Sequence, residues 1–275
     1  MSESGYRFGG TAVGEELGRI YGYKISHIIE TEAQADAALF DTQGKGYRRS
    51  DGLSIAGRKD VGDYEFCNRE GSALSSDGKE QIDAEDMFEL GNVMPHSIGG
   101  ISNVFYWKNL TFSIYFDYAL GHSIYNYMKS RFFQNTMGNS NSNLDKMVYD
   151  CWTHPGDDAK YARFFPNDAD FGNRNFSRAS DFNVERADYL CLRDVSVYYK
   201  MPAKWFRKIG LKDVTIGVSG NTLCYITGVS GTVTPESGMG TGSGDSQYVS
   251  VNNGSSNGNF TPASRKFLFN IKLTF

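Results

Sequence analysis

The residue types that most often carry chemistry are present in this chain but scattered. The four histidines, His27, His96, His122 and His154, fall in separate stretches, and no HExxH pair occurs. No GxSxG elbow is found either. Gly238 to Gly244 is glycine-rich but lacks the Lys-Ser/Thr of a phosphate-cradling loop, so it reads as a polar loop. Asp157-Asp158 and the nearby Asp168 and Asp170 are of the type glycoside hydrolysis needs, one acid to protonate and one carboxylate to attack or activate water. They lie in a polar stretch, where solvated charge is the simpler reading. Cys67, Cys151, Cys191 and Cys224 form no CxxC pair and show no zinc spacing. They read as isolated thiols, or Cys191 and Cys224 pair across neighbouring antiparallel strands. The expectation is a chain that makes and breaks no bond, with no cofactor and no metal.

The aromatic residues suggest contact surfaces instead. There are 17 Tyr and 19 Phe, with 31 Gly and only 6 Pro, a composition that favours β structure. Net charge is −4, which argues against a nucleic-acid partner. Tyr125, Tyr127 and Trp152 lie in one long polar stretch with Phe132, Phe133, Phe164 and Phe165. These rings either stack on a ligand or a partner, or pack inside a folded loop. Tyr106, Trp107, Tyr118, Tyr199 and Phe275 fall near strand ends, where an interfacial girdle is expected of a membrane barrel.

The elements that must position these groups are strands. From Arg265 to Phe275, Phe267, Phe269, Ile271, Leu273 and Phe275 fall on one face, and Lys266, Asn270, Lys272 and Thr274 on the other with Leu268. Leu110 to Gly121 alternates as cleanly, and it follows Ser97 to Trp107 across Lys108-Asn109, a tight hairpin. Tyr189 to Lys200 alternates with a one-residue slip near Arg193-Asp194, which predicts a β-bulge. Val214, Ile216 and Val218 mark a strand over 213–225, and a less regular one spans 18–30. Thr31 to Phe40 reads as a small helix.

Strands of about 11 residues are long enough to cross a bilayer when tilted. Their links alternate between short (108–109 and 201–212) and long (31–96, 122–186 and 226–264). A transmembrane barrel has this rhythm, with short periplasmic turns and long outer loops. Mean hydropathy is −0.45, as expected when only alternate residues face lipid. The fold expected is all-β, the C-terminal portion of an antiparallel transmembrane barrel with about six strands and three long extracellular loops. By parity, Thr111, Ser113, Asp117, Asn270 and Lys272 face the pore.

Several segments, in order, resemble the SusC/RagA-type TonB-dependent outer-membrane transporters of Bacteroidetes. They are Val13 to Gly18 with Tyr21-Gly22-Tyr23-Lys24, Thr31 to Ala37, Leu90-Gly91-Asn92 with Pro95, and Lys108-Asn109-Leu110. Tyr189 to Val195, Val218 to Leu223 and the terminal Leu273-Thr274-Phe275 complete the set. The resemblance covers essentially the whole chain. Near Asn68 to Ser72 the family's regular acidic spacing is broken, so no cation loop is expected.

The resemblance implies an outer-membrane importer of glycans or peptides, in contact with the lipid bilayer. It implies a SusD-like surface lipoprotein as partner, and energy from the TonB system through a plug domain. It also implies that Phe267, Phe269, Ile271, Leu273 and Phe275 form the C-terminal signal read by the barrel-assembly machinery. Residues 1–275 then represent the C-terminal part of such a barrel, with plug and earlier strands absent, and the start of the chain shows no secretory signal pattern. The alternative is a soluble secreted β-rich carbohydrate-binding module.

Overall fold

In a computed structural model the chain forms two compact units. The structure describes residues 16, 18–46, 55–69, 74–76, 78–126, 129, 146–165, 172–206, 210–230, 234–236 and 264–275. Tyr127 and the Gly238 to Gly244 run lie outside the described residues, as do Asp168 and Asp170. In chain order the elements are β1 (Arg19–Tyr23), β2 (Ile25–Ile28), α1 (Glu32–Ala37), β3 (Tyr64–Phe66), β4 (Met87–Asn92), β5 (Ser97–Trp107), β6 (Leu110–Leu120), β7 (Ser123–Tyr125), β8 (Val184–Arg186), β9 (Tyr189–Lys200), β10 (Asp213–Thr227) and β11 (Lys266–Thr274).

One unit is a five-stranded sheet of order β11-β10-β9-β6-β5, every pair antiparallel. Its register lines up the alternation of separate strands into continuous rows. Phe105, Phe112, Val197, Val218 and Phe269 are successive cross-strand partners. Trp107, Leu110, Tyr199, Ile216 and Ile271 form the next row on the same face. A one-residue slip would move every one of these side chains to the opposite face, so the apolar stripes specify the register. On the other face Ser113, Ser196 and Ser219 are partners, with Ser113 Oγ and Ser196 Oγ 2.5 Å apart. Lys108 accepts a left-handed φ of 52° to close the β5–β6 turn. Gly217 is required for a different reason: a Cβ there would lie 2.1 Å from the Tyr198 ring, which crosses the glycine.

These strands fall where the alternation of apolar residues predicts them. The bulge also appears: Tyr115 pairs with Asp194 and Phe116 with Leu192, leaving Arg193 as the extra residue of β9. On the other side of β9, Thr222 and Leu223 oppose Arg193, and Thr222 has φ 52°. The cysteine pairing is corrected. Cys191 lies opposite Tyr225 and Cys224 opposite Leu192, so the two thiols point to opposite faces, and all four cysteines are free.

The expected strand 18–30 is also corrected. It is two short strands, interrupted at Lys24, that do not join the large sheet. β1 pairs with β4 and β2 with β3. The interruption comes from partners distant in sequence: the Tyr23 amide donates to the Ala179 carbonyl at 2.9 Å, and the Ile25 amide to the Asp181 carboxylate at 3.1 Å. These bonds belong to the other unit, built from the expected strand 18–30 together with parts of the long links 31–96 and 122–186. Tyr64, Phe66, Ile82, Tyr161, Phe176 and Phe182 lie in its core. Phe176 packs edge-on against Phe182 and Tyr64, with ring centroids 5.2 and 5.9 Å apart. α1 is shorter than expected and starts with a capping box, in which Thr31 Oγ1 accepts from the Gln34 amide and the Gln34 side chain accepts from the Thr31 amide.

Buried ions tie that unit together. Asp63 is fully buried and accepts from Arg163 Nε at 2.6 Å, Asn173 Nδ2 at 2.5 Å and Asn175 Nδ2 at 2.9 Å. Arg163 also reaches Asp60 at 2.7 Å. Burial works against the guanidinium's charge, but the Asp63 and Asp60 carboxylates outweigh it and raise its pKa. The residues joined are about a hundred positions apart, so two long links fold as one body.

Candidate functional site

β6, β9 and β10 bring their polar residues onto one face of the large sheet, and the bulge at Arg193 re-aims that side chain along it. Arg193 Nε and Nη2 donate to the two Asp117 carboxylate oxygens at 2.8 and 2.7 Å, a bidentate pair. Arg193 Nη1 donates to the Tyr225 hydroxyl at 3.3 Å, and its Nη2 also reaches Glu236. The Tyr225 hydroxyl donates to the other Glu236 oxygen at 3.1 Å. Tyr189 donates to Asp117 at 3.4 Å. One residue along, Asn221 Nδ2 donates to Asp194 at 2.6 Å. One guanidinium among Asp117, Asp194 and Glu236 leaves this level of the face net negative.

Glu236 belongs to neither strand of the hairpin it bridges. It lies in the described stretch 234–236, in the link after β10. A second contact fixes that stretch. His122, just past the end of β6, places Nε2 3.4 Å from the Pro235 carbonyl, so Nε2 carries the donated hydrogen. The His122 ring is buried and stands edge-on to Tyr189 at 6.2 Å. Burial lowers its pKa below the ordinary histidine value, against the opposing pull of the Pro235 carbonyl and Asp188.

The arrangement can recognise and hold, but it contains no nucleophile with an adjacent base. Among the described residues no group of three His, Cys, Asp or Glu side chains could hold a metal ion. In the other unit a cleft of about 320 Å³ is lined by Tyr23, Gln43, Asp83 and Arg174, with the Arg178–Asp41 ion pair in its wall.

The structure places the residues singled out by sequence as follows. Phe267, Phe269, Ile271 and Leu273 share the apolar face of β11, and exposed Phe275 follows it. Thr111, Ser113 and Asp117 share the opposite face with Asn270 and Lys272, as their parity requires. Tyr125 and Trp152 are each only 6% exposed. The Tyr125 hydroxyl accepts from Asn183 at 3.1 Å, and the Trp152 ring covers Gly62 so closely that a Cβ there would be 2.3 Å away. Both rings therefore pack inside their unit rather than presenting a face for stacking. Among the described residues of that segment the exposed aromatic is Tyr149, 90% accessible, which no sequence pattern marked. Sequence also gave no sign of the Arg193–Glu236 contact beyond the phase slip that announced the bulge.

No family model matches the sequence. The chain is 27% identical over 248 residues to TonB-dependent receptor P39 of Formosa agariphila, covering 83% of this chain and 23% of that protein. It is 24% identical over 218 residues to TonB-dependent receptor P3 of the same organism, covering 79% of this chain and 18% of that protein. The chain thus spans under a quarter of these relatives. Among solved structures it is similar to the RagAB peptide transporter, with TM-score 0.61, 18% identity, and coverage of 94% of this chain and 23% of that one. The RagAB peptide importer in its closed-closed state gives TM-score 0.57 at 20% identity, covering 95% of this chain and 23% of that one. These matches agree with the resemblance carried by the ordered motifs.

Proposed function

From a chain homologous to the TonB-dependent receptors, with the fold of part of the RagAB transporter, we propose that it forms barrel wall and outer loops of an outer-membrane nutrient importer. The observation that carries this reading is the two-faced sheet. Rows such as Phe105, Phe112, Val197, Val218 and Phe269 would meet lipid, and the Ser113, Ser196, Ser219 row with the Arg193 cluster would line the lumen. Links 108–109 and 201–212 would then be periplasmic, and links 31–96, 122–186 and 226–264 extracellular. β11 would run inward to Phe275, with Phe267, Phe269, Ile271, Leu273 and Phe275 as the assembly signal.

The substrate class we infer is a glycan or a peptide, captured with a SusD-like surface lipoprotein. Coupling to the TonB system would run through a plug domain that is not part of this stretch. The protein would act by recognition and gating rather than catalysis. Fractionation tests the reading. The protein should pellet with outer membranes, require detergent for solubility, and shift in gel mobility on heating. Recovery in the aqueous phase without detergent would overturn it.

A further inference from the structure

One end of the large sheet combines exposed lysines with exposed aromatic rings. Lys108 closes the β5–β6 turn, and its Nζ stands 5.5 Å over the Trp107 ring. Asn109 holds the neighbouring strand end: its carbonyl accepts from the Lys200 amide at 2.8 Å, and its side chain donates to the Lys200 carbonyl at 2.8 Å. The Lys212 amide donates to the Thr274 carbonyl at 2.8 Å, which places Lys212 at the same end beside β11. Between them, Lys204 and Trp205 lie on a short 3-10 turn (Ala203–Trp205), with Trp205 59% exposed and 6.5 Å from the Phe206 ring.

Charge at this end is one-sided. Asp213 is engaged by Lys200 at 2.8 Å. Lys108, Lys204 and Lys212 are exposed and form no salt bridge with any described carboxylate. Lys108 directly follows Trp107 of the row Trp107, Leu110, Tyr199, Ile216 and Ile271 on the apolar face, and Lys204 and Lys212 lie in the β9–β10 link at the same end. Long lysine stems lie along apolar surface and carry their charge to its polar boundary. A row of apolar residues ending in ammonium groups and indoles matches the boundary between acyl chains and phosphate-bearing headgroups. A water-soluble protein partner would not need the continuity with that apolar row.

We propose that Lys108, Lys204 and Lys212, with Trp107 and Trp205, form a site for the headgroups of anionic phospholipids at the periplasmic rim. The proposal rests on the outer-membrane reading above and adds a lipid preference to it. Each lysine supplies attraction to anionic headgroups that fades within a Debye length, so the site acts only at the rim.

Native mass spectrometry of the detergent-purified protein tests this, with phosphatidylglycerol and phosphatidylcholine of identical acyl chains as probes. Phosphatidylglycerol should bind more tightly, and K108Q/K204Q/K212Q should lose about fivefold affinity for each lysine removed. A control variant, K24Q/K146Q/K160Q, should keep the preference. If the triple variant lacks the heat-dependent gel shift of a folded barrel, K204Q alone should still lose about fivefold. A protein that needs detergent yet shows no preference, or keeps it in the folded lysine variants, overturns the lipid site alone. A protein soluble without detergent overturns the outer-membrane reading itself.

Discussion

Arg193 and Asp117 face each other across the β6–β9 pair, locked by two parallel hydrogen bonds of 2.8 and 2.7 Å. The pair exists because Arg193 is the extra residue of a bulge. In an unbroken strand Arg193 would face away from Asp194 and join the opposite, apolar face. The bulge therefore places a cation on the polar wall, where it also holds Glu236 of the following link. One irregular residue connects two strands and a loop segment.

Removing that cation should be felt at both ends. Arg193→Gln leaves Asp117 and Glu236 close together with no intervening charge, at a cost of about 1–2 kcal/mol for partly exposed groups. Urea unfolding followed by the heat-dependent gel shift measures this. Asp117→Asn in the same background should recover part of the loss, and additive effects would show that the pair is not coupled.

The buried ion cluster of the loop unit makes a larger claim. Asp63→Ala strands Arg163, Asn173 and Asn175 without their shared acceptor. Breaking a buried pair on one side costs about 3–5 kcal/mol, so this unit should open to protease while the strands stay protected. Unchanged cleavage rates in the segments around Asp63 and Asn173 would refute the idea that these ions hold the links together.

Acid should loosen the stretch around Pro235. The folded pKa of His122 is depressed, chiefly by burial, so the fold binds the neutral ring. Its contribution is complete above the ordinary histidine pKa of about 6.5 and is lost as pH falls through the lower folded value. The protection factors of the Thr234 and Glu236 amides, corrected for the intrinsic pH dependence of exchange, should fall as pH drops below about 6.5, and His122→Gln should flatten that dependence. Equal pH dependence in both proteins would rule out His122 as the cause.

The thiols should differ in reactivity. Burial pushes the Cys151 thiol up to about 12, leaving on the order of one thiolate in ten thousand near pH 8. Cys191 is wholly buried, and all four thiols are free. N-ethylmaleimide followed by peptide mass mapping should therefore spare Cys151 and Cys191 until the protein is denatured. Non-reducing electrophoresis should show no intramolecular crosslink, and a reducible mobility shift would contradict the register that separates Cys191 from Cys224.

What the sequence determined by itself is the large sheet. Its strands run 9 to 15 residues, and where the period-two alternation is clean, as in β6 and β11, one register keeps the apolar side chains on one face. The hairpin at Lys108-Asn109, the bulge at Arg193 and the shared face of Ser113 and Asp117 follow from that pattern. Tertiary structure alone decided the rest. β1 and β2 are short and have no long stripe to assign them, so distant backbone partners such as Ala179 chose their pairing. Trp152 became a core residue because Gly62 of another link packs under its ring, and Tyr125 because Asn183, 58 positions on, meets its hydroxyl. The Asp63–Arg163 and Arg193–Glu236 pairs join residues with no periodic relation, and charge complementarity between distant segments leaves no local trace in a sequence.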